Sequence, residues 1–208
     1  MKVIYPSVEI MTPINPQEVM RHLEMCGRVC YKSEGKIEDG SAEKFLAGIV
    51  KRGHEAVLEH FSFTVKFIVD RGVSHEIVRH RMASYCQEST RYCNYSKDGF
   101  GKEITVISPC YLEVGTEGET QWYYACLDAE EAYFGLLNCG CTPQEARAVL
   151  PNSLKTELVM TANIREWRHF LKLRTSKAAH PQIREVAIPL LRELKELLPV
   201  LFGDIEEE

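Results

Sequence analysis

Ile183, Val186, Ala187, Leu190, Leu191, Leu194 and Leu197 recur three and four residues apart after Pro181. That spacing lines one side of a helix with aliphatic groups, a face that is stable only when buried against another element. Ala42, Phe45, Leu46, Ile49 and Val50 form a second such stripe, capped by Asp39-Gly40-Ser41. Asn15-Pro16 opens a helix through about Gly27, and Glu119 to Leu137 is the longest amphipathic pattern, closed near Asn138 and Gly140. Thr142-Pro143-Gln144-Glu145 sets threonine at a cap, proline in the first turn and glutamate at the third position, for a helix ending before Pro151. Asn163 is read as the cap of IREWRHFLKLR, and Ser74 as the cap of a helix running through Ile77 and Val78 into Arg79-His80-Arg81.

Other stretches carry a period of two. Phe61 to Val69 (FSFTVKFIV) is a strand by its β-branched and aromatic content, Lys2 to Met11 alternates, and Ile104 to Ile107 is short and β-rich. Leu154 to Thr161 fits either period and is read as a strand. The acidic end, Asp204 to Glu208, is expected to fray. With no repeat and no long linker, residues 1–208 are read as a single α+β domain, an antiparallel-rich sheet packed with several long helices.

Apolar residues make up 45% and charged residues 26% of the chain, the balance of a soluble globular protein. The net charge of −5 argues against a general nucleic-acid binder. No apolar run approaches the roughly 20 residues of a membrane helix, and the N-terminus lacks the apolar core of a signal peptide. A cytoplasmic protein is expected. Eight cysteines contain no CxxC pair, so free thiols rather than a metal centre are expected.

Chemistry concentrates in RHRMASYCQESTRY, Arg79 to Tyr92. Two arginines flank a histidine, and Ser84, Gln87, Glu88, Ser89, Thr90 and Arg91 follow. Arginine forks beside hydroxyls and main-chain N–H groups are the equipment for a phosphate-like anion. A second basic cluster comprises Arg147, then Asn163, Arg165, Arg168, His169, Lys172 and Arg174; positions 165, 168, 169 and 172 share one helical face. The alternative for that face is a solvated surface paired with Glu157 and Glu166. His54 and His60 sit beside Glu55 and Glu59, at a spacing too long for the HExxH zinc motif. No G-x-S-x-G elbow supports a serine nucleophile.

RHRMASYCQESTRY resembles the signature RHRxxSxNxxSxR of the flavin-dependent thymidylate synthases. Arg79, His80, Arg81, Ser84, Ser89 and Arg91 fall on its fixed positions, while Cys86 stands at the asparagine and Glu76 where relatives often have glutamine. The stretches Gly27–Ser33, Gly53–His60, Ala146–Pro151 and Thr161–Arg174 extend the likeness over most of the chain. The resemblance implies conversion of dUMP to dTMP, with 5,10-methylenetetrahydrofolate as carbon donor, FAD reduced by NADPH, and no cysteine nucleophile. It implies a homotetramer with shared active sites.

Carried over by position, His54, Ala56, Arg79, His80, Arg81, Gln87, Asn163 and His169 are expected to contact flavin. Glu76, Arg79, Gln87, Glu88, Ser89, Arg91 and Arg147 are expected to contact dUMP. Arg174 is expected to face the uracil ring and favour its ionised form, the catalytic role. A nucleotide- or flavin-binding scaffold without turnover is the alternative.

Overall fold

The computed structural model describes residues 1–207. The elements in order are β1 (Lys2–Ile4), β2 (Ser7–Ile10), α1 (Pro16–Cys30), α2 (Ser41–Lys51), β3 (Ser62–Asp70), α3 (Arg71–Ile77), β4 (Ala83–Gln87), β5 (Thr105–Ile107), α4 (Glu117–Asn138), α5 (Pro143–Ala146), β6 (Lys155–Asn163), α6 (Ile164–Arg174), α7 (Pro181–Leu197) and α8 (Pro199–Phe202). Four strands form one sheet in the order β2-β3-β6-β4, and β1 and β5 form a separate parallel pair. The class is α+β, as expected.

Contacts group the chain into two compact units. The first comprises Met1–Ser7, Phe67–Arg79 and Cys86–Leu158; the second comprises Val8–Lys66, His80–Tyr85 and residues from Val159 onward. The core of the first unit joins Tyr95, Ile104, Val106, Cys126, Tyr133, Ala146 and Leu154. In the second, Leu23, Leu46, Ile49, Leu58, Phe63, Trp167, Phe170 and Leu190 are fully buried.

Local rules explain most boundaries. Asn15 accepts from the N–H groups of Gln17 and Glu18, with Pro16 in the first turn of α1. Gly27 lets α1 lie close to Phe45 of α2. In β3 and β6 burial alternates residue by residue, which confirms the strand reading of 154–161.

Five expectations are corrected. The first alternating stretch is two strands, broken at Tyr5-Pro6 because proline lacks the N–H of a ladder. Asp70, not Ser74, caps α3 by accepting from Val73 N–H at 2.8 Å, while Ser74 Oγ donates back to Arg71 O. This helix stops at Ile77, so Arg79-His80-Arg81 lies in a turn leading into β4, a strand that the polar sequence did not announce. The capping box at Thr142 holds, yet α5 is a single turn that passes into a 3-10 turn at Arg147–Val149. Finally, the acidic end is docked: Ile205 is buried, Asp204 pairs with Arg168 and Glu207 with Arg192. Glu208 lies outside the described residues.

Candidate functional site

In the second unit, β6 turns into α6 at Asn163, whose Oδ1 accepts the Glu166 N–H at 2.9 Å. Ile164, Trp167, Phe170 and Leu171 face the core, with Trp167 stacked on Phe63 and its Nε1 donating to Phe63 O at 3.2 Å. The helical period then presents Arg165, Glu166, His169 and Lys172 on other sides. These four, with Asn163, Glu55, Glu59 and Met82, line a cavity of ≈ 400 Å³. Arg165 donates to Glu59 at 2.5 Å, and Lys172 lies 4.0 Å from Glu55.

Arg168 does not belong to this basic face. It is only 1% exposed, and its Nη1 and Nη2 each donate to Asp204 at 2.7 Å. Nε donates to Glu55 at 3.2 Å, and Nη1 also reaches Leu201 O. Burial disfavours this charge, but the Asp204 and Glu55 carboxylates outweigh it and hold the guanidinium above its ordinary pKa.

His80 is the most enclosed member of the RHR motif, at 4% exposure, whereas Arg79 and Arg81 are exposed. The Tyr85 hydroxyl donates to His80 O at 2.5 Å, and the imidazole packs edge-on against Phe170 and His169. Arg174, half-buried at the end of α6, donates from Nε to His80 Nε2 at 3.2 Å. Nδ1 lies 3.3 Å from Glu166 Oε1, off the line of a hydrogen bond. Burial first, then the charges of Arg174 and His169, lower the His80 pKa to about 4, so the ring is neutral at pH 7. Burial and Glu166 push Tyr85 up to about 12. Burial raises Glu166 too, against the opposing influence of His169.

His54 and Ala56 flank Glu55 and are both exposed; Gly53, at φ +67°, takes the left-handed backbone that starts this turn. His54 Nδ1 is 3.2 Å from the Tyr31 hydroxyl.

In the first unit, Gln87 closes β4 and its Nε2 donates to Ser74 Oγ at 2.9 Å and Thr156 Oγ1 at 3.2 Å. Glu88 is engaged on every donor-facing side. Its N–H donates to Glu157 O, Tyr95 OH donates to one carboxylate oxygen at 3.1 Å, and Lys155 Nζ to the other at 2.9 Å. Ser89 then forms a turn: its Oγ accepts from Arg91 N–H, and its carbonyl from Tyr92 and Cys93 N–H. Arg147 reaches this turn from the far side, donating to Thr90 Oγ1 at 3.3 Å. Ser89, Arg91 and Arg147 are thus brought together, with both arginines exposed. The Arg91 guanidinium lies over the Tyr92 ring, 5.5 Å from its centroid, and the Arg147 guanidinium lies on Thr90. Glu76 is half-buried on α3, and its carbonyl accepts from Arg79 N–H.

The sequence model of the family described as "Thymidylate synthase complementing protein" matches residues 15–200. The chain belongs to this family. A "Flavin-dependent thymidylate synthase" of Geobacter sulfurreducens is 37% identical over 188 residues, covering 86% of this chain and 79% of that protein. One from Corynebacterium glutamicum is 33% identical over 219 residues, covering 97% and 84%. In fold, the chain is similar to the UMP/dUMP methylase PolB of Streptomyces cacaoi, crystallised with 5-Br dUMP. The TM-score is 0.79 at 24% identity, over 98% of this chain and 96% of that one.

Within the family frame, Cys86 occupies the asparagine position of the signature as an exposed free thiol on β4. Burial raises the pKa of Cys93 and of Cys126, the opposite of an activated thiolate. Sequence reasoning gave Tyr85 no part beside His80, and gave Glu166 only a surface-pairing role. A signal for Glu166 was present: it stands three residues before His169 and three after the capping Asn163.

Proposed function

We propose that this chain is a flavin-dependent thymidylate synthase that reductively methylates dUMP at C5 to give dTMP. The observation that carries the reading is membership of the family over residues 15–200, with relatives of that name at 33–37% identity. The carbon donor in this reading is 5,10-methylenetetrahydrofolate, and NADPH is the source of reducing equivalents. FAD, when bound, supplies the electrons of the reductive step.

The second unit suits a flavin dinucleotide. Asn163, His169 and the cations Arg165 and Lys172 line one cavity, a donor set suited to an anionic cofactor. The exposed Arg81 offers a cation to a pyrophosphate. His54 and Ala56 are assigned to the same ligand. In the first unit, Ser89, Arg91 and Arg147 are assigned to the dUMP phosphate, with Glu88 anchoring their loop through Tyr95 and Lys155. Glu76, Arg79 and Gln87 are assigned to the nucleotide, and Arg79 and Gln87 also to flavin. Arg174 is assigned to the uracil, where a fixed positive charge favours negative charge developing on the ring and makes C5 more nucleophilic. The neutral His80 orients that guanidinium without cancelling its charge. In this reading the protein works in the cytoplasm as a homotetramer with shared active sites. Among the described residues no helix is long and apolar enough to cross a membrane.

The test is tritium release from dUMP labelled at C5, in the presence of FAD, NADPH and the folate donor, together with a flavin absorption spectrum before and after dUMP. Release and a dUMP-dependent spectral shift are expected. Flavin retention with no release would overturn the enzymatic reading in favour of a binding scaffold.

A further inference from the structure

His80, Glu166 and His169 each offer one metal-ligating atom, all within 4.8 Å of one another. The direction of the one hydrogen bond to the His80 ring points to another role for the cluster. Arg174 Nε has a hydrogen and no usable lone pair, so at 3.2 Å from His80 Nε2 it donates and Nε2 accepts. A neutral imidazole with a bare Nε2 carries its proton on Nδ1, which leaves Nδ1 no lone pair for a cation. That proton faces Glu166: Nδ1 is 3.3 Å from Oε1, and within the described residues it has no aligned hydrogen-bond partner.

The helix supplies both ends of the arrangement. Glu166, Phe170 and Arg174 are spaced four apart on α6, along one side of about two turns. His80 lies across that side, its ring 4.9 Å from Phe170, with Glu166 at one nitrogen and Arg174 at the other. If the proton moved to Nε2, two donors would oppose each other and the arginine would have to turn away.

We propose that Glu166 is a positioning residue for Arg174: it faces the Nδ1–H of His80 and so selects the tautomer whose Nε2 holds the Arg174 guanidinium. This rests on the reading that Arg174 acts on the uracil ring. Glu166 lines the cavity assigned to flavin, but its effect on the uracil is indirect. It acts through His80.

The experiment compares the holoprotein with Glu166→Met, which removes the carboxylate facing Nδ1–H, and Glu166→Gln, which keeps a side-chain oxygen there without charge. The His80 tautomer is read by ¹⁵N NMR of histidine-labelled protein, with the signal assigned through His80→Asn. Turnover is read by tritium release. Wild type is expected to show Nδ1–H. Glu166→Met should shift toward Nε2–H and lose about 10–100-fold in kcat, as misplacement of a fixed charge does. Its KM for dUMP should stay within about 3-fold, with turnover expressed per bound flavin because Glu166 also lines the cavity assigned to that cofactor. Glu166→Gln should recover most of the rate. An Nε2–H tautomer in wild type, or a wild-type rate in Glu166→Met, overturns the proposal; so does a Gln variant as slow as the Met variant. If wild type releases no tritium, the thymidylate synthase reading fails, while the tautomer still decides whether Glu166 orients His80.

Discussion

Asp204→Ala should destabilise the protein by about 2 kcal/mol, through the charge it strands on Arg168. Arg168 is 1% exposed and holds Asp204 in a two-pronged pair at 2.7 Å on each arm. Breaking a fully buried pair by removing one partner costs about 3–5 kcal/mol. Two features reduce that figure. The Asp204 side chain is 46% exposed, so water already screens part of the pair, and Glu55 still faces Nε at 3.2 Å. For a chain of this size the remainder corresponds to about 4–8 °C in Tm. The hydrogen bonds from Arg168 hold the Asp204 carboxyl below its ordinary pKa, against the effect of burial. A depressed carboxylate contributes stability that is full above its unfolded pKa and lost as pH falls through the folded one. The gap between wild type and variant should therefore be complete at pH 7 and close in acid, below the ordinary aspartate range. Thermal melts at both ends of that range, at one protein concentration, measure it. Replacing both partners, as Arg168→Met with Asp204→Ala, should be more stable than Asp204→Ala alone, because the buried guanidinium goes with its partner while the half-buried Glu55 keeps Arg165 and Lys172 at 4.0 Å. A gap under about 1 °C at pH 7 would refute the reasoning. A gap that ignores pH, or a double variant weaker than the single one, would refute it equally.

His80 titrates at about 4 in the fold against 6.5 for a free histidine, so the unfolded chain takes up a proton first and stability falls as pH drops from 6.5 toward 4. His80→Asn should flatten that slope in denaturant titrations across the window; an unchanged slope would mean His80 is not buried neutral. Arg91→Ala and Arg147→Ala should each weaken dUMP binding by roughly 10–100-fold, as loss of a charge-assisted phosphate contact does, with flavin retention unchanged; calorimetric titration reads it, and unaltered affinity would remove the phosphate assignment. Gly27→Ala places a Cβ 2.6 Å from Phe45 Cε1 and should cost about 1–3 kcal/mol by overpacking, seen as a lower urea midpoint.

Several site features were legible because their signals are local. The cap at Asn163 and the following helix depend on residues three or four positions apart, and both appear where the sequence sets them. The signature itself identified the family through its order of side chains. The shape of that signature was not legible. A helix running into Arg79-His80-Arg81 agreed with a cap at Ser74 followed by Ile77 and Val78, yet Asp70 caps earlier and the helix closes sooner. The Tyr85 hydroxyl on His80 O then belongs to a strand, β4, whose polar sequence carries little period.

Taken by itself, the sequence determined where most helices begin, which stretches alternate as strands, the α+β class and the family. Each of these is encoded by neighbours along the chain. Tertiary structure alone decided which charged groups serve structure and which remain available. Arg168 and Arg165 lie one turn apart, yet one is buried on Asp204, thirty-six residues onward, while the other stays exposed on Glu59. Glu88 is held by Lys155, sixty-seven residues away, and His80 is held by Arg174, ninety-four away. Burial and the identity of a distant partner set charge state and orientation, and neither is written in the residues beside the group.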